Sequence, residues 1–240
     1  MDALEIKKEL GQKGAQLIQS GMIVGLGTGS TAECFIHSLI HRVKTEKLSI
    51  QAVASSEHSA ELARAGGVPV MDLNEAPHVD ITVDGADEID PQKRLIKGAG
   101  GALLREKILA SASRSMVVLA DESKLVSHLG KTKLPIEILS YGAAATRRHI
   151  EALGYKGSWR LGLFSEIRPT FRLPQQTENL FVTDNGHLIF DLTFSHPLQN
   201  PEQLHSELIQ IPGVLETGFF FHLAKTILIG HSNGQIKQLS

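Results

Sequence analysis

Over residues 1–130, amphipathic stretches and short apolar runs take turns with unusual regularity. A helix is predicted near 2–19, stopped by Gly21, then a short apolar strand at MIVG (22–25) and a helix over 30–41. The same alternation follows with SIQAVAS (49–55) as strand, a helix over 57–65 before Gly66-Gly67, and DITVDGAD (80–87) opening as a strand. LIKG (95–98) is short and apolar, 101–112 is helical, and SMVVLAD (115–121) reads as a buried strand. Strands that alternate with helices are joined by crossovers, so this pattern predicts an α/β, Rossmann-like domain with a mainly parallel sheet.

Near residue 131 the pattern changes. LPIEIL (134–139) is a strand, 142–153 a helix ending at Gly154, and strand-like pieces run around 157–173. FVTDNGHLIFDLTF holds two extended runs around an Asp184-Asn185-Gly186 turn. PEQLHSELIQ (201–210) is a helix with proline at its start, stopped by Pro212-Gly213, and VLETGFFF (214–221) is a strand. The β-α-β-β-α-β order is ferredoxin-like. The expected organisation is therefore 1–130 plus 222–240 as the Rossmann-like domain, with TILIG (226–230) returning to its sheet, and 131–221 as a smaller ferredoxin-like α+β domain.

A chain of 240 residues with 42% hydrophobic and 21% charged residues buries a core without staples. Its net charge of −2 lacks the basic footprint of a nucleic-acid partner. No apolar run approaches the ~20 residues of a membrane span. Cys34 is the only cysteine, which excludes a disulfide framework and fits a reducing compartment, so a cytoplasmic protein is expected.

Four segments carry chemistry. In Gly25-Leu26-Gly27-Thr28-Gly29-Ser30-Thr31, glycines let the backbone approach a ligand, and the following helix turns free N–H groups and its positive end toward the loop. Thr28, Gly29, Ser30 and Thr31 are thus a cradle for a small anion, phosphate first. A dinucleotide fingerprint would need glycine at Ser30 and an acid where Ser55-Ser56 stand, and no Walker lysine is present. Asp84-Gly85-Ala86-Asp87-Glu88-Ile89-Asp90 ends an apolar strand, where open sheets bind ligands. A solvated acidic turn and a magnesium site are its alternatives. Lys97-Gly98-Ala99-Gly100 opens a second helix, with Lys97 in reach of an oxyanion or of the acidic segment, and Glu106 about one and a half turns in. Lys124, after the strand 115–121, can supply a point charge to phosphate. His37 and His41 have zinc-pair spacing but lack the glutamate and a third ligand, and read as exposed polar positions. Cys34 reads as a small buried residue and Phe219 to Phe221 as core or interface.

GLGTGST, VDGADEID, KGAGGALLREK, DESK, LPIEI and FVTDNGH, in this order, resemble type A ribose-5-phosphate isomerase, over nearly the whole chain. The resemblance implies a cofactor-free and metal-free aldose–ketose isomerisation of D-ribose 5-phosphate and D-ribulose 5-phosphate, in the non-oxidative pentose phosphate pathway. It implies a homodimer or homotetramer. It makes residues 28–31, Asp84 to Asp87, Lys97 to Gly100 and Lys124 substrate contacts, with Lys7 as a helper to phosphate and Glu106 as the proton acceptor. Within that chemistry Glu106 moves a proton from C2 to C1, Lys97 and loop amides hold the charge of a cis-enediolate, and Asp84 and Asp87 meet sugar hydroxyls, one of them assisting ring opening. Ala99 stands where the family often has glycine, and 157–178 is longer and less regular than usual. A sugar-phosphate sensor would carry a DNA-reading domain, and none precedes residue 20. A thioester-exchanging transferase with a glutamate nucleophile would need a larger site for coenzyme A.

Overall fold

Asp2 caps the first helix, accepting from the Glu5 N–H while Glu5 reaches back to the Asp2 N–H, and so fixes where α1 (Ala3–Gln16) begins. The helix ends short of the expected residue 19 because the Arg42 guanidinium takes the carbonyls of Ala15 and Ile18, a cation on a helix C-terminus. In the computed structural model, which describes residues 1–162 and 179–239, the next elements are β1 (Ile23–Leu26), α2 (Ser30–Thr45), β2 (Gln51–Ala54), α3 (Glu57–Ala65) and β3 (Ile81–Gly85). They are followed by two-residue strands β4 (Glu88–Ile89) and β5 (Leu95–Ile96), then α4 (Leu103–Ala112) and β6 (Met116–Asp121).

The second part comprises β7 (Leu134–Ile138), α5 (Ala143–Ala152), β8 (Lys156–Trp159), β9 (Leu188–Thr193), α6 (Pro201–Ile209) and β10 (Val214–Thr217). The chain then returns through β11 (Phe219–Phe220), β12 (Ala224–Gly230) and β13 (Ile236–Gln238).

The main sheet runs β13-β12-β6-β3-β1-β2. All its pairs are parallel except β12–β13 at the edge. Its parallel strands have the doubly wound order in which the chain reverses direction between β1 and β3, and that reversal opens a crevice at their carboxyl ends. Strands β1 and β6 are buried apart from Asp121, as both faces of a parallel sheet demand. Leu10, Phe35, Ile36, Leu39, Val24, Leu26 and Val83 form the core between α1, α2 and the sheet. Each such large side chain contributes ~1.5–3 kcal/mol by leaving water.

The second sheet is antiparallel, ordered β10-β7-β9-β8, which is the spatial order of a β-α-β-β-α-β unit. Its core holds Ile136, Ile138, Ile150, Leu204 and an edge-on Trp159–Phe190 pair with ring centres 5.2 Å apart.

Three expectations change. VLETGFFF is not one strand: it breaks at Gly218, so β10 joins the antiparallel sheet while β11 pairs with β5 in a three-stranded sheet, β11-β5-β4. The first run of FVTDNGHLIFDLTF makes only a single bridge among the described residues, Val182 with Leu188, next to one between Leu161 and Leu180 just before it. The Thr183 hydroxyl accepts from the N–H groups of Asn185 and His187 at 3.2 Å and curls the chain out of a ladder. Cys34 is half-buried, because α1 packs on its main chain through Gly11 and leaves the side chain at the seam. His37 and His41 are exposed, and Phe219 and Phe220 are buried, as expected. The irregular stretch at 157–178 lies outside the described residues from 163 onward.

Candidate active site

The glycine loop after β1 is shaped by what lies beneath it. A Cβ on Gly27 would overlap the Asp84 carboxyl, so only glycine lets the loop and β3 come this close. Gly29, at φ 101°, turns the chain into α2, whose first-turn N–H groups have no side-chain cap and face outward as anion donors. Ser55 and Ser59 hold the loop from below, donating to the Leu26 carbonyl at 3.0 Å and the Gly27 carbonyl at 2.7 Å, and Ser55 also meets the Thr28 hydroxyl at 2.7 Å. The sequence marked Ser55 only by the missing acid; its role as a support shows once β1 and β2 pair. Lys7, on α1, reaches the Ser30 hydroxyl at 2.9 Å.

The acidic segment divides. Glu88 accepts from the backbone N–H groups of Gly130 and Thr132, and Asp90 pairs with Arg94 at 2.6 Å, so neither serves the crevice. Asp87 accepts from the Ala99 N–H at 2.9 Å and stays half-buried at the rim. Asp84 is 1% exposed and lies under the floor, its Oδ1 accepting from the N–H groups of Thr28 and Gly85. Each carboxylate has its own donors, which is how one turn tolerates four of them.

Lys97 and Glu106 are as buried as Asp84, at 2% exposure each. Lys97 Nζ donates to the Gly85 carbonyl at 2.7 Å and stands 2.9 Å from Asp84 Oδ2 and 3.2 Å from Glu106 Oε2. The Phe220 ring, 5.3 Å from Nζ, closes the apolar side. Burial pulls the Lys97 pKa down, but Asp84 and Glu106 outweigh it and push the pKa up. Glu106 moves up as well, to about 8: burial raises it most, Lys97 draws it back, and Asp84 adds repulsion.

A crevice of about 270 Å³ opens above this trio. It is lined by 28–31, 85–87, 97–100, Glu106, Lys124 and Lys7. Every residue that the resemblance makes a substrate contact or the proton acceptor is here except Asp84, which sits behind Lys97. Ala99 is tolerated in a glycine-rich loop because, unlike Gly98 at φ 103° and Gly101 at φ 85°, it has no positive φ.

Sheet and crevice together define an α/β protein of the Rossmann-like class, with a small-anion loop and a buried carboxylate–lysine–carboxylate trio at the chain-reversal point. Comparison with known proteins narrows the class. The model of ribose 5-phosphate isomerase A (phosphoriboisomerase A) matches residues 51–234. Ribose-5-phosphate isomerase A of Chlamydia pneumoniae is 44% identical, covering 97% of this chain and 94% of its own. The solved ribose 5-phosphate isomerase A of Methanocaldococcus jannaschii superposes with a TM-score of 0.86 at 33% identity, over 98% of this chain and 97% of that one. A D-ribose-5-phosphate isomerase solved in complex with phospho-erythronic acid gives 0.89 at 34% identity, over 99% of both chains. The chain belongs to the ribose 5-phosphate isomerase A family.

Proposed function

We propose that the chain interconverts D-ribose 5-phosphate and D-ribulose 5-phosphate through a cis-enediolate, with Glu106 as the base. The observation that carries this is the buried trio at the crevice floor: a carboxyl raised to about 8 with a lysine 3.2 Å away. The phosphate sits on 28–31, with Lys7 and Lys124 as point charges, and its binding energy orients the reacting carbons. Asp87 meets sugar hydroxyls at the rim, while Asp84 serves the reaction through Lys97.

In the open-chain aldose, Glu106 takes the C2 proton and later returns it to C1. A second proton leaves O2 and one arrives at O1, so the net change moves one hydrogen between carbons and one between oxygens. The Lys97 ammonium donates to the Gly85 carbonyl and is held between the Asp84 and Glu106 carboxylates as their counter-charge. Once Glu106 carries the C2 proton it no longer holds Lys97 as a counter-charge, and one ammonium N–H turns to the oxyanion formed in the same step. One such donor in a preorganised site contributes ~3–4 kcal/mol to the transition state.

In the same proposal 1–130 with 222–240 form the catalytic domain and 131–221 the second. The chain works in the cytoplasm on a small sugar phosphate, without nucleic acid or membrane partner. The described residues include no helix long and apolar enough to cross a membrane. Leu139, Tyr141 and Leu153, exposed on the second unit, support assembly as a homodimer or homotetramer. The test is conversion of ribose 5-phosphate, read by ketose absorbance, before and after dialysis against EDTA. Conversion that survives is expected, since Asp84, Asp87, Glu88 and Asp90 are each taken by protein donors. Loss on chelation with rescue by magnesium would make the acidic segment a metal site instead.

A further inference from the structure

The loop that carries Lys97 into α4 is rich in glycine, and ordering each such residue costs ~1–2 kcal/mol of backbone entropy. Its position is held from outside the crevice by Arg160, the residue after β8. The guanidinium grips Asp191 of β9 with two bonds, Nε to Oδ2 at 3.0 Å and Nη2 to Oδ1 at 2.5 Å. Its third nitrogen, Nη1, donates to the Gly98 carbonyl at 2.8 Å and to the Ala99 carbonyl at 3.0 Å. Arg160 does not line the crevice; it stands on the far side of the loop.

In a planar trans peptide the C=O and the following N–H point in opposite directions. Holding the two carbonyls from the Arg160 side therefore turns the Ala99 and Gly100 N–H groups toward the crevice. The Ala99 N–H does meet Asp87 at the rim, at 2.9 Å. The fork geometry is specific to arginine: a lysine could bond one carbonyl but not grip Asp191 in parallel.

We propose that Arg160, anchored by Asp191, is a positioning residue for the isomerisation, fixing the loop so that the Ala99 N–H holds Asp87 at the rim and the Gly100 N–H faces the developing oxyanion. This rests on the isomerase reading above. The test compares the full-length wild type with Arg160→Met, Arg160→Lys and Asp191→Asn. It measures thermal midpoint, kcat and KM on ribose 5-phosphate, and amide hydrogen exchange of the peptide spanning 97–103.

Arg160→Met should lower kcat about 10- to 100-fold, the cost of a loop misplaced by about an ångström, and speed exchange across 98–101. KM should stay within about threefold, because the interaction lost is one made in the transition state. Arg160→Lys should recover part of kcat, and Asp191→Asn should fall between wild type and Arg160→Met. The proposal is overturned if exchange at 98–101 matches wild type, if kcat stays within about twofold, or if kcat falls only with loss of folded protein. Should Arg160→Met fail to fold, Arg160→Lys and Asp191→Asn decide by the same limits. A wild type inactive on ribose 5-phosphate sinks the isomerase reading alone, since the exchange data still report whether Arg160 holds the loop.

Discussion

At the scale of single residues, the proposed mechanism turns on how Glu106 holds and gives up a proton. A base must be ionised to act, and its pKa is raised to about 8, so kcat/KM should climb as pH rises through that value. Glu106→Gln keeps the shape and removes the basic oxygen; the rate should fall by at least ~10²–10⁴ while inorganic phosphate, as a competitive probe of the 28–31 loop, inhibits no less than in wild type. Near-normal turnover would move the role to Asp87. Stability follows the same proton. Glu106 binds it more readily folded than unfolded, so its contribution is complete below its ordinary 4.5 and is lost as pH rises through about 8. Lys97 is raised too, and its contribution fades only above the ordinary lysine value of 10.5, outside this window. The melting temperature of Glu106→Gln, measured against wild type, should therefore gain between about pH 5 and pH 9; a constant or shrinking difference would contradict the raised value. These residues were legible because glycine, acid and lysine at three successive strand ends have few other reasons to coincide. That Asp84 lies beneath Lys97 was not legible, since a strand-end position does not say which carboxylate the neighbouring loop will cover.

Among elements, the packing of α1 on α2 joins stability to substrate affinity. A Cβ on Gly11 would stand 2.5 Å from the Cys34 carbonyl carbon and 2.7 Å from the Phe35 nitrogen, main-chain atoms that cannot swing aside. Gly11→Ala must push the helices apart, an overpacking cost of ~1–3 kcal/mol, or a fall of roughly 2–4 °C in Tm for each. The shift also draws Lys7 from Ser30, so KM for ribose 5-phosphate should rise with little change in kcat. A Tm and KM equal to wild type would show the helices meeting differently. Helix and strand positions followed from apolar spacing with small errors at their ends, such as α2 running on to Thr45. What the spacing could not tell was partnership. VLETGFFF is one extended run by pattern, and only the packing around Pro135 and Lys97 decides that its halves belong to different sheets. Arg160, in an irregular stretch without a motif, likewise meets residues 98 and 99 only through the fold.

For the whole molecule, the second sheet supplies supports that the crevice does not contain. Arg105, beside Glu106 in sequence, is tied to Asn185 at 2.8 Å and to the Asp184 carbonyl at 3.1 Å. Asn185 in turn donates to buried Glu137 on β7 at 3.0 Å. LPIEI and FVTDNGH, which contribute nothing to the crevice lining, thus brace the helix that carries Glu106. The same unit exposes Tyr141 at 88% and Leu153 at 48%. Light scattering should return two or four times the 26.1 kDa of one chain, and Tyr141→Glu with Leu153→Glu should shift that mass downward. A wild type of single-chain mass would refute assembly through this face.

Gly218 gives this architecture a mechanical character. Its N–H is bonded to the Pro135 carbonyl on β7 at 2.7 Å, and its carbonyl accepts the Lys97 N–H at 2.9 Å. Gly218 is thus one joint between the two bodies, beside the Arg105 and Arg160 contacts, and Lys97 is tied to it by its own main chain. A rotation that pulled on Gly218 would be felt at the Lys97 main chain, one side chain away from Asp84 and Glu106. In the proposed mechanism a closed frame is then a condition of reactivity, and the sugar is expected to enter and leave at the rim.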